Sequence, residues 1–265
     1  MRWHATRMRF RSTILLVVAA SLALEASPAP LVAQTIKEQW RPGMKAAIRY
    51  ANQRQGSISF AVKAPSGKLF ANRGHRTVPA ASTIKVMFMA AYLRHEARHR
   101  KLTAHDRSLL APMIRRSDNS AASSIANRLG PRPINRLARA AKMRHFRYTR
   151  PWGLSRVDAT EQARFMFQLG RFIPDRHEDY ARYLLAHIVR RQRWGIAKLN
   201  RPRYELYFKS GWGTGTGAVS HQVAWFEREV GVRIGVAIMI ENSPSHAYST
   251  QTLRGVAARL LRDLP

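Results

Sequence analysis

The stretch from Ile84 to Leu93, "IKVMFMAAYL", is a nearly continuous apolar run broken by one lysine, Lys85. As a helix it has almost no polar face to offer water, so it must be covered on most sides by other elements. The same segment begins and ends with catalytic spacings. Ser82-Thr83-Ile84-Lys85 is an S-x-x-K, and His95-Glu96-Ala97-Arg98-His99 is an H-E-x-x-H. The first is the spacing of a serine nucleophile with a lysine base, the second that of a zinc peptidase.

Elements around this helix follow from periodicity and turn residues. Gln34 to Arg54 reads as a helix, with Trp40, Met44 and Ile48 four apart. Ser57 to Val62 reads as a strand, Pro65-Ser66-Gly67 as a turn and Lys68 to Asn72 as the return strand. Thr103 with Asp106 three residues later marks a capped helix start. Further helices are expected over Ser120 to Leu129, Pro133 to Ala141, Thr160 to Gly170 and Glu178 to Arg190. Leu206 to Lys209, Val219 to Arg228 and Val232 to Glu241 read as strands, and Thr250 to Leu264 as a closing amphipathic helix. This order predicts an α+β fold: one antiparallel sheet from the outer segments, terminal helices on a face, and a helical lobe forming a cleft with the sheet.

The N-terminus has the pattern of a secretory signal. Arg2, Arg7, Arg9 and Arg11 precede an apolar run, Ile14 to Leu24, that is too short to span a bilayer comfortably. Cleavage is expected after Ala33, with Ala26 as the second position. That leaves one domain, residues 34–265, exported to the periplasm or medium; an uncleaved anchor is the alternative. The chain has no cysteine, which excludes thiol catalysis, thiolate metal sites and disulfides, so stability must come from packing. Its 46 Lys and Arg against 15 Asp and Glu, net +31, create a field that attracts anions. For an exported protein those anions are envelope polymers. The basic residues are scattered, are not interleaved with aromatics and carry no nucleic-acid-binding signature; an arginine-rich composition without a selected polyanion site accounts for them equally well.

Two further motifs follow the S-x-x-K: Ser117-Asp118-Asn119 between helical segments, and Lys209-Ser210-Gly211 at a strand, followed by Trp212-Gly213-Thr214-Gly215. Each is weak alone. Asp118 is also what a helix cap requires, and Ser210 is also an ordinary strand serine. In the order S-x-x-K, S-D-N, K-[ST]-G, the chain resembles class A β-lactamases and penicillin-recognising serine hydrolases, over roughly Ser57 to the end. The resemblance implies that Ser82 is the acylated nucleophile, Lys85 its base and Ser117 the proton relay to the leaving nitrogen. It implies substrate contacts from Asn119, Lys209, Ser210 and Gly211, and an oxyanion hole from the backbone N–H groups of Ser82 and Trp212. It also implies a small β-lactam or a D-alanyl wall peptide as substrate, no cofactor, and a monomer.

The chain departs from that family in two places. The E-x-x-L-N motif, whose glutamate activates the deacylating water, has no match in "YTRPWGLSRVDATEQARF". Alignment places Pro151 or Arg150 at the acid. Glu161 is too far along and reads as surface charge; Asp158 is the nearest carboxylate and reads equally as a helix cap. The interval from Ser82 to Ser117 is also short, as if a wall of the cleft were trimmed. Both departures bear on β-lactam turnover more than on serine acylation. A non-catalytic envelope-binding protein on the same fold is the second reading. A zinc peptidase is the third: His95 lies about 220° around a helix from Ser82 and is crowded by Arg94, Arg98, Arg100 and Lys101, which argues for a solvated helix end.

Overall fold

A computed structural model describes residues 39–213, 218–228 and 231–264. The expected signal segment, its cleavage positions and Thr214 to Gly217 lie outside the described residues.

Among the described residues the sheet contains five antiparallel strands in the order β2-β1-β7-β6-β5: β1 (Ser57–Lys63), β2 (Leu69–Asn72), β5 (Glu205–Gly213), β6 (Val219–Arg228) and β7 (Val232–Glu241). Its centre is a long meander. Ser210 pairs with Gln222, Gln222 with Ile238, and Phe60 with Ile238 on the far side of β7. β6 and β7 are buried at nearly every position, so both faces of the sheet are covered. Helix α1 (Met44–Asn52) packs on α8 (His246–Leu260), which lies over β6 and β7, and α6 (Ala159–Phe167) lies on β7 and β1. This two-sided cover explains why these strands read as continuous apolar runs rather than as alternation.

The lobe is built around α2 (Lys85–His95), every residue of which is buried from Lys85 to Leu93. Helices α4 (Asn119–Leu129) and α5 (Pro131–Ala140) pack on it, and α3 (Ala104–Ala111) packs on α4. Burying Met87, Phe88 and Leu93 contributes about 1.5–3 kcal/mol each. Helix α7 (Asp175–Ala186) joins the lobe to β5, and a small ribbon of β3 (Val78–Pro79) and β4 (Arg156–Val157) ties the start of the α2 segment to the start of α6. Thr103 and Asp106 form the expected reciprocal cap on α3.

Several boundaries differ from expectation. A 3-10 turn, Ala81–Ile84, precedes α2, because Ala81 has a positive φ of 45° that a regular helix does not admit. α1 starts after Gly43, so among the described residues the expected Gln34 to Arg54 helix is interrupted over Trp40 to Gly43 and ends at Asn52; Gln34 to Glu38 lie outside the described residues. β5 runs on through the third motif to Gly213, so Lys209 lies within the strand and not at its end. Helix α2 stops at His95, which removes the geometric basis of the H-E-x-x-H. His99 is not on the helix, so the i, i+4 relation of the two histidines is lost. Glu96 instead binds Arg128 at 2.7 Å, and both histidines are exposed.

Candidate active site

Three elements meet where the lobe faces the edge strand β5: the 3-10 turn carrying Ser82, the bend at Ser117 and Lys209 to Trp212. The bend is shaped by backbone geometry. A π-turn, Pro112–Arg116, ends on Ser117 in the left-handed region at φ 58°, and Asp118 then caps α4 by accepting from Ala121 N at 2.7 Å. The turn swings the Ser117 carbonyl and hydroxyl toward α2 while α4 presents Asn119 from its first position.

Lys85 fills the resulting gap. Its Nζ donates to Ser117 O at 2.6 Å, to Asn119 Oδ1 at 2.7 Å and to Ser117 Oγ at 3.2 Å. The residue is fully buried, and burial lowers its pKa to about 7, with Asp118 pulling the other way. Lys209 approaches from the sheet: its Nζ donates to Ser117 Oγ at 3.0 Å and to Ser210 O at 2.9 Å. Burial and, second, the charge of Lys85 hold it well below the ordinary lysine range. One hydroxyl, that of Ser117, thus bridges both amines.

Gly211 sets the distance between β5 and the Ser82 turn. A Cβ on it would lie 2.8 Å from both Ser82 N and Thr83 N, so only glycine lets the strand come this close. The turn is pinned from below by Thr83 Oγ1 donating to Ala80 O at 2.6 Å and by the buried His221, whose Nε2 lies 3.0 Å from Pro79 O. Burial lowers the His221 pKa to about 4, so the ring is neutral. It accepts from Ile240 N at Nδ1 and donates from Nε2. Ser82 is half-buried and Asn119 exposed, so this side of the arrangement opens to solvent.

Ser210 is fully buried. Its Oγ accepts from Gln222 Nε2 at 3.0 Å, which leaves its own proton to donate. Trp212 is 37 % exposed and stacks on His246, with Trp194 edge-on to both. The structure therefore brings Ser82, Lys85, Ser117, Asn119, Lys209, Ser210, Gly211 and Trp212 to one site.

Sequence reasoning missed four neighbours: Gln222, Trp194, His246 and Trp152. The Trp152 ring centre lies 5.0 Å from Lys85 Nζ, and its Nε1 donates to Ser123 Oγ at 3.1 Å. None sits in a recognisable spacing. Glu161 was expected on the surface and is 3 % exposed: its carboxylate accepts the backbone N–H groups of Arg144 and His145, which α6 reaches by lying flat on the sheet. Asp158 is the expected cap of α6, accepting from Glu161 N at 2.6 Å.

An antiparallel sheet facing a helical lobe across such a cleft is the β-lactamase/transpeptidase-like architecture. The model of the beta-lactamase enzyme family matches residues 97–264, and the chain belongs to that family. The match includes Ser117, Asn119 and Lys209 to Gly211 but begins after Ser82 and Lys85. Among solved structures, a β-lactamase from Sphaerobacter thermophilus superposes with a TM-score of 0.72 at 22 % identity, covering 83 % of this chain and 96 % of that one. An ancestral class A β-lactamase gives 0.71 at 18 %, covering 83 % and 99 %. A β-lactamase from Xanthomonas campestris gives 0.72 at 17 %, covering 84 % and 97 %. At these identities the likeness is one of fold. No curated protein matches the chain.

Proposed function

We propose that this chain is an exported serine hydrolase that forms an acyl-enzyme on Ser82 from an amide, either a β-lactam ring or a D-alanyl peptide of the cell wall. The observation that carries the reading is the buried Lys85, held between Ser117 and Asn119 with a pKa near 7. A neutral amine there has two N–H bonds, enough for Ser117 O and Asn119 Oδ1, and a lone pair left for a hydroxyl proton. Lys85 takes the proton of Ser82 as its Oγ attacks the carbonyl carbon. The backbone N–H groups of Ser82 and Trp212 hold the oxyanion. Ser117, hydrogen-bonded to both lysines, delivers a proton to the leaving nitrogen as the C–N bond breaks. Lys209 orients Ser117, Ser210 donates its proton to the substrate carboxylate, and Asn119 meets the substrate amide.

Release of the acyl group is the slow half of this chemistry. Trp152 lies beside Lys85, and the nearest acids of the connecting segment, Asp158 and Glu161, are buried and each turns one oxygen to backbone N–H groups. A β-lactam therefore acylates Ser82 and stays. Incubating the protein with a penicillin and following its intact mass, beside Ser82→Ala, tests this. A persistent adduct on the wild type alone is the expected result. Transient labelling with ring opening would make the chain a β-lactamase with another water-activating group. The absence of any adduct would favour the non-catalytic binding protein.

A separate observation supports an anionic envelope polymer as partner. At the far end of α2, about 18 Å from Ser82 along the helix axis, Arg94, His95, Arg98, Arg136 and Arg139 line a cavity of about 380 Å³ with no carboxylate in its wall. Export is supported by the n-region and apolar run of the first 33 residues. Among the described residues no helix is long and apolar enough to cross a membrane.

A further inference from the structure

Next to the β3–β4 ribbon, two imidazoles converge on one carboxylate oxygen. His145 Nδ1 lies 2.7 Å from Asp158 Oδ2 and His75 Nδ1 lies 3.3 Å from the same atom. The three donor atoms fall within 4.8 Å of one another. The two rings meet edge to face, 5.0 Å between centres. The side chains of His75 and His145 are 65 % and 43 % exposed, whereas that of Asp158 is wholly buried. A second observation comes from Glu161. Its Oε1 is 3.6 Å from His145 Nδ1, and its buried Oε2 has no hydrogen-bond partner among the described residues. A carboxylate oxygen in that position is costly unless a positive charge stands close.

We propose that His75, His145 and Asp158 form a binding site for a divalent transition metal such as Zn²⁺, with the Glu161 carboxylate beside it. Two imidazoles and a carboxylate are a donor set suited to zinc, and water from the exposed side completes four-coordination. Bonds of about 2.0–2.1 Å in a tetrahedron set donors about 3.3 Å apart. The His75–Asp158 pair already has that separation. The His145–Asp158 pair must open by about 0.6 Å, which rotation of a half-exposed ring supplies. Binding through Nδ1 leaves each Nε2–H toward solvent. The approach of His75 is built in: Thr160 N donates to Gly74 O at 3.0 Å, and a Cβ on Gly74 would lie 2.3 Å from Thr160 Oγ1.

The site is structural in its effect. His145 and Asp158 bound the segment that carries Trp152 to Lys85, and His75 lies in the connection from β2 to β3. One ion ties both ends of that segment to the sheet side of the molecule. In a chain without cysteine it supplies the cross-link that a disulfide would otherwise give, by restricting the unfolded chain.

The full chain, stripped with a chelator and dialysed, would be titrated calorimetrically with Zn²⁺ and, separately, with Co²⁺ followed by visible absorption. One ion per chain is expected, with a rise in Tm on saturation and tetrahedral Co²⁺ bands. His75→Ala and His145→Ala should each weaken binding at least about tenfold, abolish the Tm rise and remove the bands, while a His95→Ala/His99→Ala double variant keeps all three. His75 is largely exposed, so the metal-free Tm of His75→Ala should match the wild type. Failure of the wild type to bind Zn²⁺, or binding that survives both single substitutions, would overturn the proposal. Neither result bears on acylation of Ser82.

Discussion

Lys85 and Lys209 donate to the same oxygen, the Ser117 hydroxyl, at 3.2 and 3.0 Å. Two ammonium groups sharing one buried acceptor repel each other, and neither has water to screen it. Burial is the larger cause favouring neutral amine: with the charge of Lys85 second it holds Lys209 well below the lysine range, and it lowers Lys85 to about 7. As the base it works only when deprotonated. The acylation rate should therefore rise about tenfold per pH unit below 7 and level off above it. The same depression makes Lys85 a destabilising charge below pH 7. That cost fades as pH rises from 7 toward 10.5, because over this window the unfolded chain binds the extra proton. Acylation rates from pH 5.5 to 9 by intact mass would check the first point. A flat profile would place the base elsewhere. Lys85→Ala should slow acylation by roughly 10²–10⁴-fold.

Gly211 tests whether the closeness of β5 to the Ser82 turn matters for chemistry. Its missing side chain would meet two backbone nitrogens, which cannot swing aside as a flexible side chain would. Gly211→Ala must push strand and turn apart by some tenths of an ångström. We expect a stability loss of about 1–3 kcal/mol and an acylation rate lower by roughly 10²-fold. Urea unfolding and adduct formation, measured on the same preparation, separate the two effects. Wild-type acylation in a folded variant would mean that the oxyanion site does not depend on this spacing.

The parts of this molecule that were legible in the sequence are those in which a short motif coincides with a local structural reason. Ser82 and Lys85 are one turn apart, Ser117 to Asn119 is a bend and a cap, and Lys209 to Gly211 is three residues of one strand. The buried strands and α2 announced themselves as apolar runs. What remained hidden depends on contacts between distant segments. Trp152 reaches Lys85, and Trp194 and His246 flank Trp212, only because segments far apart in the chain converge at the cleft. His75, His145 and Asp158 are separated by tens of residues. Glu161 looked like surface charge because an acidic residue near a helix start ordinarily is; its burial follows from N–H groups in the preceding loop that needed an acceptor. The end of α2 at His95 was equally invisible, since "EARHRK" has no glycine or proline to stop it.

Asp106 offers a test of the lobe that leaves the site untouched. Buried at the start of α3, it accepts from Tyr92 Oη at 2.6 Å and Thr103 N at 2.7 Å, and pairs with Arg100. The Arg100 guanidinium is the largest influence holding its carboxyl well below the usual range, with the Tyr92 and Thr103 hydrogen bonds adding to it. A carboxylate lowered in this way stabilises the fold fully above the unfolded value of 3.8. The stabilisation drains away as pH falls below that value toward the folded one. Asp106→Asn should cost about 2–4 kcal/mol at pH 7, since it leaves Arg100 and the Thr103 cap poorly matched. The gap between variant and wild type should narrow at pH 3. Denaturant midpoints at both pH values would show it, and a pH-independent gap would mean that packing, not charge, dominates.

The arginine cavity at the end of α2 is where the large positive charge has a shape. Scattered surface cations attract any polyanion weakly, but Arg94, Arg98, Arg136 and Arg139 face one concavity, so a single anionic segment can meet several at once. At roughly 1 kcal/mol per basic residue near an anionic surface, replacing Arg94, Arg98 and Arg136 by serine should weaken binding to polyphosphate by about a hundredfold. Substituting three of the other exposed basic residues, such as Arg49, Lys68 and Arg254, should have much less effect. Raising the salt should erase the difference, because the Debye length shrinks to about 3 Å at 1 M. Acylation of Ser82 should be unchanged in both variants, which shows that each is folded. Equal loss from the two triple substitutions would reduce the charge to a diffuse field, and the cavity would then have no part in holding an envelope polymer.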